Sequence, residues 1–73
     1  MIGSTGMTDI GHTIAPGDKI TINDDNWENV GVTYKVKSVV YVPGSTAVDL
    51  ILEICDSREI VHKVVANQYL TKV

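Results

Sequence analysis

The residues best suited to chemistry in this sequence cluster in one polar loop, Asn23 to Gly31. The loop holds the only tryptophan, Trp27, and three of the nine acidic residues, Asp24, Asp25 and Glu28. Their oxygens suit Ca²⁺, but the spacing lacks the alternating ligands and the glycine of an EF-hand loop. An aromatic side chain among carboxylates is instead typical of a surface that binds a Lys or Arg of another protein. The loop is therefore a candidate partner-binding site.

A purely structural role for Trp27 competes with this hypothesis, and the sequence favours it. In this interpretation the indole folds back over one open end of the domain, and the acids and asparagines only keep a turn-rich loop solvated.

No other set of residues has the spacing of a catalytic or metal site. The two histidines, His12 and His62, lie far apart in sequence and have no further ligands at metal-binding spacing. The single cysteine, Cys55, has no recognisable base beside it, and a small half-buried hydrophobe is the simpler interpretation. We therefore expect no enzymatic activity, no metal and no cofactor.

Two aliphatic runs, 32–42 and 47–54, predict a central β-hairpin. The second run has a two-residue period with one apolar face, and its predicted inward face consists of Val48, Leu50, Leu52 and Ile54. The first run alternates up to Lys37 and is then continuously apolar over 39–42, which predicts a bulge near Ser38 followed by a segment buried on both faces. Between the runs, Pro43 and Gly44 have the chemistry of a type II turn.

Shorter strands are predicted on both sides of the hairpin. Residues 19–22 alternate and point Ile20 and Ile22 inward. Residues 59–65 follow a turn at 56–58; if Glu59 and Lys63 face water, His62 turns inward on this strand with Ile60 and Val64.

Both ends of this strand pattern resemble small barrels of the SH3-like and KOW type. Gly17 to Ile22 is a glycine-acid turn leading into an alternating strand, and residues 66–73 look like the short turn and brief strand that end such barrels. The resemblance implies an all-β fold: a small five-stranded SH3-like barrel over 15–73 with a short 3-10 turn before the last strand, preceded by an N-terminal arm, 1–14. In peptide-binding members aromatic residues near the final turn line the ligand groove, and here Tyr69 stands at that place.

Charge and composition restrict the partners. The net charge is −3 and the sequence pI about 5.0, which disfavours nucleic acid because phosphate binding needs a basic surface. No stretch has the roughly 18 apolar residues of a membrane helix. A lone cysteine suits a reducing compartment, and we expect a cytoplasmic protein.

Together these features predict a non-catalytic protein–protein interaction module, a small subunit or adaptor that docks on a larger protein. Its candidate partner-binding residues are Asp24, Asp25, Trp27, Glu28 and Tyr69. The alternative is a KOW-like nucleic-acid-binding module that uses Tyr34, Lys35 and Lys37. Self-association is a further expectation, because exposed valines and a short last strand can pair two barrels to form a homo-oligomer.

Overall fold

Five antiparallel strands follow the alternation of apolar and polar residues seen in the sequence. The structure is a computed structural model that describes residues 14–73; the predicted arm falls on residues outside this range except for Ile14, which is buried in the core. The strands are β1 (Lys19–Ile22), β2 (Tyr34–Tyr41), β3 (Ala47–Ile54), β4 (Ile60–Ala66) and β5 (Leu70–Lys72). Two 3-10 turns, η1 (Trp27–Asn29) and η2 (Asn67–Tyr69), precede β2 and β5.

The strands form one sheet in the order β4-β3-β2-β1-β5, and every pairing is antiparallel. The predicted all-β class and the 3-10 turn before the last strand are confirmed. The sheet is not closed into a barrel, because β4 and β5 are its two ends and do not pair with each other.

A bulge in β2 sets which side chains face the core. The β2–β3 register shifts between Val36 and Ser38, which makes Lys37 the extra residue and places the bulge one residue from its predicted position. Before the shift the even-numbered Tyr34 and Val36 are buried; after it Val39 and Tyr41 pack against the core.

This change of parity overturns one prediction for β2. Residues 39–42 are not buried on both faces, because Val40 and Val42 point to the outer face of the sheet and are exposed. The sequence is continuously apolar there, yet only every second side chain has the core to pack against. The exposed valines leave an apolar strip on the outside of the molecule.

The core lies on the inner face of this sheet and is built from aliphatic side chains. β3 contributes Val48, Leu50 and Leu52, and β1 contributes Ile20 and Ile22, all buried as predicted. Full burial of one such side chain stabilises the fold by about 1.5–3 kcal/mol. Because a domain of this size has only a small core, each of these side chains carries a large share of its stability.

The structure decides the inward face of the fourth strand, which the sequence left ambiguous. Val65 is buried and Val61 packs against the core, whereas Ile60, His62 and Val64 are exposed. His62 would turn inward only if Lys63 faced water, and this condition is not met. Instead Lys63 lies half-buried on the inner face, with its ammonium 6.0 Å from the centre of the Tyr34 ring. Long charged side chains bury their aliphatic stems in this way, so their position does not define the outer face.

Candidate interaction site

The loop between β1 and β2 is fixed to the end of the chain at its first residue. The Asn23 backbone N–H donates to the Tyr69 carbonyl at 2.9 Å, and its side-chain Nδ2 donates to Thr71 Oγ1 at 3.2 Å. These contacts join the start of the loop to η2 and β5. Tyr69 is therefore at the base of the loop, and its side chain is partly exposed there.

A chain of side-chain hydrogen bonds fixes the interior of the loop. The Tyr34 hydroxyl donates to Asn29 Oδ1 at 2.7 Å, and Asn29 Nδ2 donates to Asp24 Oδ1 at 2.9 Å. Asp24 Oδ1 also accepts from the backbone N–H of Asn26 at 3.2 Å. Asn29 and Tyr34 are each only 2% exposed. Buried polar groups need such partners, so the network stabilises this conformation of the loop.

Electrostatics keep the network in the protonation state that its hydrogen bonds require. The hydrogen bond from Asn29 is the largest effect on the pKa of Asp24 and lowers it. Burial opposes this effect, and smaller contributions from the Asn26 backbone N–H and the charge of Lys63 lower the pKa further. Burial raises the pKa of Tyr34, assisted by the charges of Glu28 and Asp24. At neutral pH Asp24 is thus an ionised acceptor and Tyr34 a protonated donor.

The 3-10 turn η1 presents Trp27 to solvent. Asn26 Oδ1 accepts from the Glu28 backbone N–H at 3.0 Å, and the Asn29 N–H donates to the Asn26 carbonyl at 2.9 Å. The Trp27 side chain is 80% exposed, and Val30 beside it is exposed too. The structural role favoured by the sequence, in which Trp27 covers an open end of the domain, is therefore wrong.

The predicted partner-binding residues divide into exposed and structural ones. Asp25, Trp27 and Glu28 are exposed around η1 and form, with Val30, what we call the Trp27 surface. Asp24 belongs to the same loop, but its carboxylate is only partly exposed and is occupied by the two hydrogen bonds within the loop.

The alternative nucleic-acid residues do not share one face. Tyr34 is buried, so its ring is not available to stack on a base. Lys35 and Lys37 are exposed, and the Lys37 ammonium lies 3.4 Å from a carboxylate oxygen of Glu53.

Within residues 14–73, no group of three or more His, Cys, Asp or Glu side chains could hold a metal ion. The exposed His62 imidazole contacts the Asp49 carboxylate instead of turning inward. Cys55 is a half-buried free thiol near the end of β3. In the same part of the chain, no helix has the length and hydropathy needed to cross a bilayer.

Sequence reasoning missed two residues of the site: Asn29, whose hydrogen bonds fix the loop, and Lys63, whose ammonium lies over the Tyr34 ring. Asn29 is one of several asparagines in a polar loop, and no local pattern distinguishes the buried one from its exposed neighbours. Lys63 belongs to β4, and only the three-dimensional fold brings it over the Tyr34 ring.

The comparisons with known proteins give no relative from which a function could be transferred. No family model, no curated protein and no solved structure matches this chain. Its function must therefore be inferred from its own surface.

Proposed function

We propose that this protein is a non-catalytic protein–protein interaction module, a small subunit or adaptor that docks on a larger protein through the Trp27 surface. The observation that carries the proposal is the exposure of Trp27 on a turn that hydrogen bonds hold in place. Tryptophan is among the residues that most often dominate binding energy at protein interfaces.

The rigidity of the loop supports a binding role over a merely solvated one. Binding a mobile loop costs conformational entropy, and a loop ordered beforehand avoids much of this cost. Here the hydrogen bonds of Asp24, Asn29 and Tyr34, of which Asn29 and Tyr34 are buried, order the loop before any partner arrives. An exposed indole alone would be weak support; an exposed indole on a buried polar anchor is stronger.

The chemistry around Trp27 indicates what the partner offers. Asp25 and Glu28 are exposed on the same short segment, so the fitting partner has an apolar pocket for the indole with Lys or Arg at its rim. The net charge of −3 would also steer a basic partner toward the chain. In this proposal Asp24 contributes by holding the loop, and Tyr69 lies at its base.

The same proposal includes an SH3-like assignment of the fold and a cytoplasmic location. Five antiparallel strands with a 3-10 turn, Asn67–Tyr69, before the last strand support the SH3-like assignment. The free thiol of Cys55 suits a reducing compartment such as the cytoplasm.

A pull-down from lysate of the source organism tests the proposal. The baits are the wild-type chain, Trp27→Ala, and Val40→Ala as a matched control in which an exposed apolar side chain is removed from the outer sheet face. Each is run with and without nuclease. Because both substituted sites are on the surface, Trp27→Ala and Val40→Ala should change the free energy of unfolding by no more than about 0.5 kcal/mol.

The expected result is a protein retained by wild type and Val40→Ala, lost by Trp27→Ala and indifferent to nuclease. With the purified partner, Trp27→Ala should weaken binding by about 2 kcal/mol or more, which is roughly a 30-fold rise in Kd. Unchanged binding would refute the role of Trp27. Material lost on nuclease treatment would instead favour the nucleic-acid alternative and direct attention to Lys35 and Lys37.

A further inference from the structure

Lys63 is a cation at an inner-face position of β4 where the pattern of the fold calls for an apolar side chain. Its neighbours on the inner face of the strand are Val61, which packs against the core, and Val65, which is buried. Across the ladder Lys63 lies opposite Leu50, which is fully buried. Moving a charge out of water costs free energy unless the charge finds a partner. The contacts of the Lys63 ammonium therefore indicate why a lysine stands at this position.

The Lys63 ammonium uses an aromatic ring as its partner instead of a carboxylate. Lys37, Arg58 and Lys72 each pair with a carboxylate at a nitrogen–oxygen distance of 3.4–3.9 Å, whereas in the part of the chain that the structure describes Lys63 forms no such pair. Its ammonium lies over the Tyr34 ring, 6.0 Å from the ring centre. A ring face attracts a cation at distances up to about 6 Å. The charge on β4 is thus directed at the ring that anchors the loop.

The charge of Lys63 acts on both ends of the hydrogen-bond chain that fixes the loop. Tyr34 is one end, and its hydroxyl donates to Asn29, which in turn donates to Asp24 at the other end. Lys63 lies over the ring of Tyr34, and its charge is also among the effects that lower the pKa of Asp24. One side chain on β4 therefore attracts the first and the last member of a chain that belongs to another part of the sequence.

We propose that Lys63 is a positioning residue for the Trp27 surface, because its ammonium holds the Tyr34 ring and the Asp24 carboxylate in place, and with them the loop that presents Trp27. Its importance for binding rests on the proposed function, whereas the positioning itself is a property of the free chain. Methionine has a similar length and flexibility and can fill the same space without a charge. Lys63→Met therefore separates the effect of the charge from the effect of packing.

A second role for an inward-pointing lysine on β4 makes a different prediction. Charged residues that point inward on an edge strand keep that edge from pairing with other chains, and within residues 14–73 β4 pairs only with β3. Protection of the edge requires a charge on Lys63 but no contact with Tyr34 or Asp24. Neutralising Lys63 would then raise the mass of the chain in solution and leave the loop as it is. Positioning instead requires that the loop itself changes.

Nuclear magnetic resonance of the free chain measures the positioning directly. The Asn29 N–H donates to the Asn26 carbonyl within η1, so its hydrogen exchange reports the opening of the turn. In Lys63→Met we expect this exchange to quicken about two- to five-fold, the effect of losing a cation–π contact at a partly exposed site. The pKa of Asp24, followed on its carboxyl carbon, should rise in the same variant, because an attracting charge is gone.

Two further variants control for charge and for packing. Lys63→Arg keeps the cation and its attraction to an aromatic ring, so it should retain the exchange rate of Asn29 and the pKa of Asp24 seen in wild type. Lys19→Met removes an exposed lysine from β1 and should change neither measurement. Used as a bait in the pull-down, Lys63→Met should retain less of the protein that wild type retains, and Lys63→Arg should retain it.

The outcomes separate this proposal from the proposed function. Unchanged Asn29 exchange and an unchanged Asp24 pKa in Lys63→Met would overturn the positioning role, including the case in which Lys63→Met gains mass in solution because an edge has lost its protection. Equal effects of Lys63→Arg and Lys63→Met would overturn it too, since packing and not charge would then be responsible. If Trp27→Ala loses no partner, the proposed function fails, while the measurements on the free chain still decide the role of Lys63.

Discussion

The hydrogen bond from Tyr34 to Asn29 is the contact most open to a single-atom test. Tyr34→Phe removes the hydroxyl and leaves the ring in the core, where Tyr34 is 2% exposed. Asn29 Oδ1 then loses the donor that lies 2.7 Å away and, since Asn29 is equally buried, gains no water in exchange. The change isolates the anchor of the loop without altering Trp27.

The magnitude follows from the burial of both partners. A buried acceptor left without a donor costs about 1–3 kcal/mol, whereas a core of this size supplies only about 3–5 kcal/mol of net stability. With a urea dependence near 1 kcal/mol per molar for a small domain, the midpoint should fall by about 1–3 M. The substitution should therefore remove a large share of the stability.

Urea unfolding followed by circular dichroism measures this effect, with Tyr69→Phe as the matched control. Tyr69 is partly exposed, so loss of its hydroxyl should change stability by less than about 0.5 kcal/mol. A double-mutant cycle that combines Tyr34→Phe with Asn29→Ala should give a coupling free energy between the two residues above about 0.5 kcal/mol. Equal stability of Tyr34→Phe and wild type would refute the anchor. Weaker partner binding by Tyr34→Phe, with Trp27 intact, is expected because the loop is no longer fixed beforehand.

Three further predictions follow from single residues. The pKa of Asp24 is lowered below its ordinary value of 3.8 on folding. The ionised carboxylate therefore stabilises the fold fully above that pH, and this contribution is lost as the pH falls through the lower folded pKa. The difference in unfolding free energy between wild type and Asp24→Asn should shrink in acid titration, and a constant difference would contradict this. Gly44 has a φ of 75° in the hairpin turn, so Gly44→Ala should lower the free energy of unfolding by about 1–2 kcal/mol in thermal or urea unfolding. Gly44→Asn should be better tolerated. No loss of stability in Gly44→Ala would contradict the positive φ at this position. Leu50 is fully buried on β3, and Leu50→Ala should lower the free energy of unfolding by about 2–5 kcal/mol, enough to leave much of the chain unfolded. A cooperative urea-unfolding transition near that of wild type would contradict the placement of the core.

Most of the sheet was predictable because its signals are local. The two-residue period of residues 47–54 predicted β3 with its observed bounds, Ala47–Ile54, and the Pro43-Gly44 pair predicted the turn. A short range of sequence determines both features, since side-chain period and backbone torsion depend on neighbouring residues.

The sequence was least informative where contacts between distant residues decide which side chains are buried. The aliphatic run after Ser38 does not show which of its valines pack against the core and which are exposed. The inner face of β4 could not be assigned because it depends on the position of the Lys63 ammonium in the fold. The loop was recognised as a candidate site from its composition, but the hydrogen bond between Asn29 and Tyr34 that fixes the loop was not. Such contacts follow from the fold as a whole and leave no periodic pattern.

The fluorescence of Trp27 tests the central claim most directly, because it is the only tryptophan in the chain. Acrylamide quenching should show an indole in the free chain nearly as accessible as free tryptophan, in accord with its 80% exposure. The partner captured by the wild-type bait is then added, after selective labelling has removed its own tryptophan signal. Its binding should shift the Trp27 emission to shorter wavelength and protect Trp27 from the quencher. An indole that stays fully quenchable in the complex would contradict docking through the Trp27 surface.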